Sequence, residues 1–430
     1  MLGDPRSHGL WEATARPAPR SEILEGDRTT DVLVVGAGFA GCSAARQLAA
    51  SGHGVVLLEA FEVGFGAAGR NSGLLNGGMW ILPDQIIRVM GRTHGERTLA
   101  LLMGAPKAVR QIIAAEAIEC DLVEKGTLHL AVGQKGLEEI RERCRQRQAR
   151  GQPVELLSTE ETRRRVGGGN YMGALFDPEA GTIQPLSYVR GLAAAAVRNG
   201  AELFTNSAVT HIERDGRAWR VKTARGSVVA PRVIVATDCY SIGPWRKLAD
   251  EQVKLAFFNL ATPPLPANLR RTILPNGEGA WDTRLLLEMI RLDASGRLIF
   301  ASFGALRNTG TSIHRSWAYR ALTRIFPELA GQVQFEHEWY GLIGMTPDHT
   351  PRFHRLEDGV VGIAGYNGRG IAPGTVFGQV LAKFASGEIS EEDLPFKISE
   401  VENRSLRAGR ELYYEVGAQV GHFLKDRTLK

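Results

Sequence analysis

The sharpest hydrophobic pattern in the chain begins at Asp31. Val32–Val35 is an unbroken β-branched and aliphatic run, as expected of a strand buried on both faces of a parallel sheet. A glycine turn follows, then small and apolar positions at helical spacing over 42–51, then a second apolar run, Val55–Leu58. This order predicts a β-α-β unit. Residues 1–30 carry Pro5, Pro17 and Pro19, many charges and no apolar period, and are expected to form an arm.

From about 88 to 150 the pattern predicts mainly helix, with Leu137, Ile140 and Cys144 as a buried stripe among charges. The charge run 138–150 predicts a solvated helix face rather than a nucleic-acid patch. Ser158 with Glu161 predicts a capping box opening a short helix. A helix near 185–199 and strands near 201–206, 218–223 and 233–236 come next. Residues 252–304 alternate apolar and polar positions in short segments, which predicts an antiparallel sheet. A strand at Val360–Ala364, a glycine loop and a helix over 373–386 close the pattern. The expected fold class is therefore α/β with an α+β inserted part: a Rossmann-like nucleotide-binding domain interleaved with a substrate domain on an antiparallel sheet. The expected boundaries are an arm at 1–30, the nucleotide-binding domain at 31–85, 157–240 and 338–395, the substrate-binding domain at 86–156 and 241–337, and a C-terminal helical extension at 396–430.

Composition changes this picture at a few points only. The 430 residues are 43% hydrophobic and 23% charged, which is ordinary for globular chains. Fifty-two basic residues face 47 acidic ones, net +5, and no basic block stands alone, so no nucleic-acid partner is expected. Cys42, Cys120, Cys144 and Cys239 show no CxxC or metal-ligand spacing; reduced thiols and no metal site are expected. The start, Met-Leu-Gly-Asp-Pro-Arg, has no charged-then-apolar leader. No uncharged apolar run reaches the roughly 18 residues of a membrane span. The expectation is a soluble, cytoplasmic protein without a membrane span. Glycine is the outlier: 50 of 430 residues, roughly 12% against about 7% on average. Such a backbone turns tightly and approaches ligands closely.

Gly36, Gly38 and Gly41 form G-x-G-x-x-G between the first strand and its helix, and Glu59 ends the second strand. Gly36 makes the tight turn, Gly38 lets backbone approach a pyrophosphate, and Gly41 lets the helix pack on the strand. The helix start supplies free N–H groups and a positive dipole end. Glu59 suits a ribose 2′-hydroxyl and disfavours a 2′-phosphate. A second glycine-dense stretch spans 64–73, followed by Gly77-Gly78; it suits a long cofactor, with Arg70, Asn71 and Ser72 offering donors. FAD and NAD share the first half-site, and the fingerprint alone does not choose between them.

Read together, the fingerprint, Gly66-Ala-Ala-Gly-Arg-Asn-Ser-Gly73, Gly181-Thr-Ile-Gln-Pro185, Val233-Ile-Val-Ala-Thr237 and Gly365-Tyr-Asn-Gly-Arg-Gly-Ile-Ala-Pro-Gly-Thr375 resemble the D-amino-acid oxidase/glycine oxidase/sarcosine oxidase superfamily. The resemblance is strongest to the γ-glutamylputrescine-oxidase-like bacterial branch, including the lead-in Leu10-Trp11-Glu-Ala-Thr-Ala. It implies non-covalent FAD and dehydrogenation of a C–N bond: hydride passes to flavin N5, and the imine product is hydrolysed. Oxygen or another acceptor would then take the electrons. Cofactor contacts are expected from Gly36, Gly38, Phe39, Ala40 and Gly41; from Glu59 and Ala60; from Gly66, Ala67, Arg70, Asn71, Ser72 and Gly73; from Val209, Ala236 and Thr237; and from Gly344, Gly368, Arg369, Gly370, Ile371 and Ala372. The loop 365–374 leads into a helix whose free N–H groups would face charge developing on the ring, with Arg369 adding positive charge.

Tyr366, Arg369 and His349 are the expected catalytic residues. Met79, Trp80, Arg284 and Tyr366 are the expected pocket residues, and Arg291 lies on a neighbouring inserted strand. Three departures from sarcosine oxidase stand out. Gly341 occupies the position of the flavin-linking cysteine, Ile299 that of the oxygen-activating lysine, and Ala372 that of a carboxylate-binding lysine. Covalent attachment at Gly341 is thereby excluded, and oxygen is in doubt as acceptor. Any substrate carboxylate must be held elsewhere, or the substrate is a simple amine. Two other readings stay open: a 2-hydroxy-acid dehydrogenase of the same superfamily, and a flavin-bearing RNA-modifying protein. Oligomeric state is not legible.

Overall fold

The computed structural model describes residues 8–402 and 406–426. Two large sheets organise them. In the first, seven strands run in the order Ile398–Ser399, Arg352–Glu357, Val360–Ala364, Arg232–Val235, Val32–Val35, Val55–Leu58, Glu202–Phe204. Val32 pairs with Val55 on one side and Arg232 on the other, all parallel. Val32–Val35 is buried at every position, which accounts for a sequence with no alternation. Arg352–Glu357 forms an antiparallel hairpin with Val360–Ala364, and the edge strand Ile398–Ser399 runs parallel to Arg352–Glu357, so these two oppose the other five.

Helices Phe39–Ala50, Pro185–Arg198 and Ile371–Ser386 share a core with one face of this sheet. Phe39–Ala50 and Ile371–Ser386 lie so close that a Cβ on Gly378 would meet the Ala40 carbonyl at 2.2 Å. A four-stranded sheet, in the order Gly26–Thr29, Gly226–Ala230, Ala218–Lys222, His211–Asp215, covers the other face. Val221 and Val228 there pack with Leu33, Val35 and Leu58.

The second large sheet has eight strands in the order His337–Met345, Val253–Pro264, Arg297–Phe303, Met289–Leu292, Gly279–Asp282, Thr127–Leu130, Ala174–Asp177, Glu155–Leu157. The segments around 252–304 pair antiparallel, while Gly279–Asp282 runs parallel to Thr127–Leu130. Helix Thr309–Ile325 buries Trp317, Ala321 and Leu322 against Phe258 and Phe300 of this sheet. No described helix is long and apolar enough to cross a membrane.

Several expectations change. Part of the supposed arm is built into the body: Leu10 and Trp11 are fully buried, and Gly26–Thr29 is a sheet strand. Trp11 donates to the Asn71 carbonyl at 2.7 Å and stands edge-on to Trp339. One large aromatic anchors a short helix that has no apolar period. Residues 1–7 lie outside the described set. Thr127–Leu130 is a strand within the stretch expected to be helical; four buried residues after Gly126 are too short to establish a period. Ala174–Asp177 and His337–Met345, expected with the nucleotide-binding part, pair in the eight-stranded sheet. Ser158 caps its helix by accepting the Glu161 N–H at 3.1 Å, but the Glu161 carboxylate turns to Arg164 and Arg165 instead of closing a capping box. The last helix of the nucleotide pattern starts at Ile371, ahead of Pro373. In the C-terminal extension, helix Arg407–Leu424 is anchored by buried Ala418 and His422, and Ile398–Ser399 joins the seven-stranded sheet.

Candidate cofactor and substrate site

A cavity of about 620 Å³ lies at the carboxyl ends of the parallel strands, touching Val35, Leu58 and Ala236. Ligands of open α/β sheets bind in this place. The three fingerprint glycines serve different needs. Gly36 has φ 102°, and a Cβ there would lie 2.8 Å from the Ala236 carbonyl. A Cβ on Gly41 would lie 1.8 Å from the Gly36 carbonyl, so Gly41 is required by packing and does not line the cavity. Gly38 lines it, and its Cβ would meet nothing nearer than Ala68 at 3.8 Å. Gly370, also on the wall, has open space in the same sense.

Helix Phe39–Ala50 begins at Gly38 without a side-chain cap, leaving its first N–H groups for a ligand. Phe39, Ala40 and Ala60 line the cavity beside it. The Glu59 carboxylate accepts the Ala37 N–H at 2.7 Å and the Phe61 N–H at 3.0 Å. Burial raises its pKa, and these N–H groups oppose that shift.

In the second glycine loop, Gly66, Ala67, Arg70, Asn71 and Ser72 line the cavity. Their side chains are largely engaged with protein. Arg70 Nε donates to the Phe65 carbonyl. Asn71 Nδ2 donates to the Ala67 and Ala68 carbonyls, while its Oδ1 accepts the Gly73 N–H. Ser72 donates to Asn259 Oδ1 at 2.8 Å. These bonds shape the loop, so its backbone, more than the expected side-chain donors, is presented to a ligand. Gly73 faces away: a Cβ there would strike Arg291 Nη1 at 2.2 Å. The buried Arg291 donates to the Gly73 and Ile183 carbonyls and acts as a brace behind the loop. Burial lowers its pKa to about 10.

Val209, Ala236 and Thr237 line one wall. Sequence reasoning stopped at Thr237 and missed Asp238, which also lines the cavity. Asp238 has φ 44° and accepts the Gly365 N–H at 3.0 Å, tying the strand end Val235 to the start of the second glycine loop-helix. An Asp directly after a buried strand was the available signal, because Asp tolerates positive φ.

The far wall brings Gly344, Tyr366, Gly368, Arg369 and Ile371 to Trp80, Trp281, Phe257, Leu287 and Met289. Apart from Trp80, those large apolar walls were not anticipated; each reads in sequence as ordinary strand core. Burial holds the Tyr366 phenol well above its usual pKa. Ala372 is buried in its helix and does not line the cavity. Met79 lines a smaller chamber and not the main cavity. Arg284 is not brought to the cavity: it pairs with buried Asp282 and Glu288, two carboxylates that fix it in place. His349 also stays outside both spaces, in a turn with φ 56° whose N–H donates to the Thr346 carbonyl.

A family model described as FAD dependent oxidoreductase matches residues 31–384. A probable oxidoreductase, OrdL, of Rhizobium meliloti is 31% identical over 391 residues, covering 90% of each chain. Gamma-glutamylputrescine oxidoreductase of Escherichia coli is 31% identical over 387 residues, covering 89% of this chain and 90% of its own. Among solved structures, L-amino acid deaminase from Proteus vulgaris superposes with a TM-score of 0.72 at 18% identity, over 93% of this chain and 99% of its own. Glycine oxidase from Geobacillus kaustophilus gives 0.70 at 18%, over 88% and 99%. These last two establish likeness of fold.

Proposed function

This chain belongs to the family of FAD-dependent oxidoreductases acting on amines or amino acids, and from that premise we propose that it dehydrogenates the C–N bond of its substrate to an imine, which water then hydrolyses. The observation that carries the reading is a single cavity that joins a glycine-lined strand end to an apolar, tryptophan-walled end. The residues present fit FAD. Space is open at Gly38 and Gly370, where a side chain would intrude, the helix starting at Phe39 is uncapped by a side chain, and Glu59 stands on the wall at the ribose position of the fingerprint.

Bound FAD supplies the two-electron acceptor for hydrogen leaving the substrate carbon. The chain does the rest. Gly36–Ala40 and the helix start would hold the pyrophosphate, and Glu59 would accept from a ribose hydroxyl. The backbone of 66–72 would offer its polar groups to the rest of the cofactor. At the other end, helix Ile371–Ser386 starts without a side-chain cap and offers N–H groups and positive potential to charge on the ring, with Arg369 beside it. The apolar wall of Trp80, Trp281, Phe257, Leu287 and Met289 excludes water and disfavours an ammonium, which keeps the amine neutral and reactive. Tyr366, buried and neutral, borders the same space.

The test is anaerobic reduction of the purified protein's flavin absorbance by a panel of amines, amino acids and 2-hydroxy acids. Bleaching by an amine supports the reading. Bleaching by hydroxy acids alone moves the reaction to a C–O bond, and protein that neither carries nor takes up FAD refutes the site.

A further inference from the structure

Helix Arg407–Leu424 carries its polarity inverted. A surface helix ordinarily buries an apolar stripe and turns its charges to water. Here the charges are directed at the protein: Arg407 pairs with Asp250 at 3.0 Å, Glu411 accepts the Lys254 N–H at 3.1 Å, and Glu415 accepts from Arg307 at 2.9 Å. Ala418 and His422 are the buried positions, and His422 stacks on Trp317 at 3.6 Å. A Cβ on Gly421 would lie 2.5 Å from Leu286 of the body. These contacts hold the inner side of the helix in place.

The opposite side is apolar and exposed. Gly409, Leu412, Tyr413, Val416, Gly417 and Val420 line a groove of about 510 Å³, every wall of it from this one helix. Their spacing repeats at three and four residues, as in a helix–helix seam. Leu412, Tyr413, Val416, Val420, Phe423 and Leu424 are between 46% and 73% exposed. Taking roughly 200 Å² for each whole side chain, these fractions leave on the order of 700 Å² of apolar surface. Soluble monomers rarely show a patch above a few hundred Å², whereas each partner of a standard interface contributes about 800 Å².

An exposed helical stripe can meet a membrane surface or another helix. A helix that lies in a lipid interface borders its apolar face with lysine and arginine. Here Arg410 is the one basic residue of the helix beside the stripe, Arg407 being turned to Asp250. The stripe instead alternates large and small residues: Gly409, then Tyr413 and Val416, then Gly417, then Val420 and Leu424. Such an order is complementary to its own reverse. A parallel pairing would set Gly409 and Gly417 against their own copies, leaving gaps, and would crowd Tyr413 against its own.

We propose that this face docks a second copy of the chain, the two helices lying antiparallel about a dyad between Val416 and Gly417. Val416 then faces the partner's Gly417, Tyr413 the partner's Val420, and Gly409 the partner's Leu424, a larger residue against a smaller one at each step. The same patch serves both copies, as a two-fold interface requires. The inference is independent of which substrate is oxidised. It brings the contact close to the cavity, because Leu286, against Gly421, directly precedes Leu287 of the cavity wall.

The test is sedimentation velocity of the full chain with FAD, from about 1 to about 100 µM. A dimer is expected within that range. Val416→Glu should weaken it at least about 100-fold, because the dyad would bury two carboxylates close together. Tyr413→Ser should weaken it about 10-fold. Val89→Glu, at an exposed site on helix Pro83–Met90, should leave it unchanged, and circular dichroism checks that each variant folds. The four native cysteines are buried, so an added thiol reports the pairing. Val416→Cys, at the dyad, should cross-link the copies under mild oxidation. Gly409→Cys should not, its two copies lying about 20 Å apart. A chain that stays monomeric throughout, a dimer indifferent to both Val416→Glu and Tyr413→Ser, or cross-linking through Gly409→Cys would each overturn the proposal. A monomer that floats with phosphatidylglycerol vesicles would overturn it too, giving the face to lipid.

Discussion

At one end of the cavity the wall is backbone: Gly36, Gly38 and the start of helix Phe39–Ala50, with Glu59 from the next strand. At the other it is side chain: Trp80, Trp281, Met289 and Arg369, brought together from four separate segments. On the function proposed above, the first end would take the groups that every FAD shares, for which small residues at fixed spacing on consecutive elements suffice. The second would take the substrate, with rings and a charge placed by the eight-stranded sheet and two loops. The two ends should therefore fail separately. Gly38→Val is expected to have the largest effect. A Cβ there meets no protein atom nearer than Ala68 at 3.8 Å, and its backbone lies outside the positive-φ region, so the chain should fold, yet the branched group would stand where the pyrophosphate would approach. FAD affinity should fall by at least about 1,000-fold, roughly 4 kcal/mol, as read by equilibrium dialysis with folding checked by circular dichroism. Trp281→Leu should do the reverse, keeping FAD while raising the substrate KM about 10-fold. Loss of FAD in the second variant would merge what the geometry separates.

This division also explains what could be read from the chain. A backbone cradle leaves a local record, because φ 102° at Gly36 and the 1.8 Å approach at Gly41 admit glycine alone. Strands Val32–Val35, Val55–Leu58 and Val360–Ala364 were visible for a similar local reason, being buried at every position. The tryptophan wall leaves no such record: Trp281 and Met289 are strand residues that differ from core only in what the fold places opposite them. Arg284 and Arg369 show the limit. Each is an arginine on an inserted element or a loop, and only the structure reveals that Asp282 and Glu288 claim the first while no described carboxylate claims the second.

A second comparison concerns the segment outside both sheets. Trp11 wedges between Trp339 and the loop 64–73, donates to the Asn71 carbonyl, and lies under Arg291. Gln184 donates back to the Trp11 carbonyl at 2.9 Å. Trp11→Ala is expected to cost about 3 kcal/mol of stability, through the cavity it leaves and the bonds it breaks. Because the loop it supports lines the cavity's glycine end, FAD affinity should fall as well, whereas Trp281→Leu, which also removes a buried ring and should cost about 2 kcal/mol, should leave FAD affinity unchanged. Denaturant titration of both variants, each with and without FAD, makes the comparison. A Trp11→Ala chain as stable as the parent would return residues 8–16 to the status of an arm.

Arg284→Met sharpens the contrast with Arg369. Removing Arg284 leaves Asp282 and Glu288 facing each other in the interior, with Arg324 and Lys425 still near Glu288. Burial and Glu288 already raise Asp282 to about 6 even with the arginine present. The expected cost is about 2 kcal/mol of stability with no change in substrate KM, and Asp282 should take up a proton closer to neutrality. A raised KM without destabilisation would put Arg284 back in the substrate pocket.

The smallest effect comes from acid, and it reaches both regions through different histidines. His8, under the loop 64–73, contacts the Gly64 carbonyl at 3.2 Å. Burial and Arg70 lower its pKa to about 4 against the pull of Glu12. In the other region His314 and His422 share a bond between their Nδ1 atoms at 2.8 Å, so only one of the two nitrogens carries a proton. Burial brings His314 to about 4 despite Glu415, and burial with His314, Lys425 and Arg320 brings His422 to about 2. In the unfolded chain each would titrate near 6.5, so the unfolded state binds more protons as pH falls below that value. Stability should be level above about pH 6.5 and decline from there toward pH 4, by about 1 kcal/mol per histidine at pH 5.5. His8→Gln should remove only the part of this decline that is coupled to FAD retention. His422→Phe, which sits in the stack with Trp317, should remove the part that loosens helix Arg407–Leu424 and leave flavin content unchanged. Denaturant midpoints measured from pH 7.5 to 5 would show a flat profile if these histidines were free to ionise in the fold, and the two variants would then be indistinguishable from the parent.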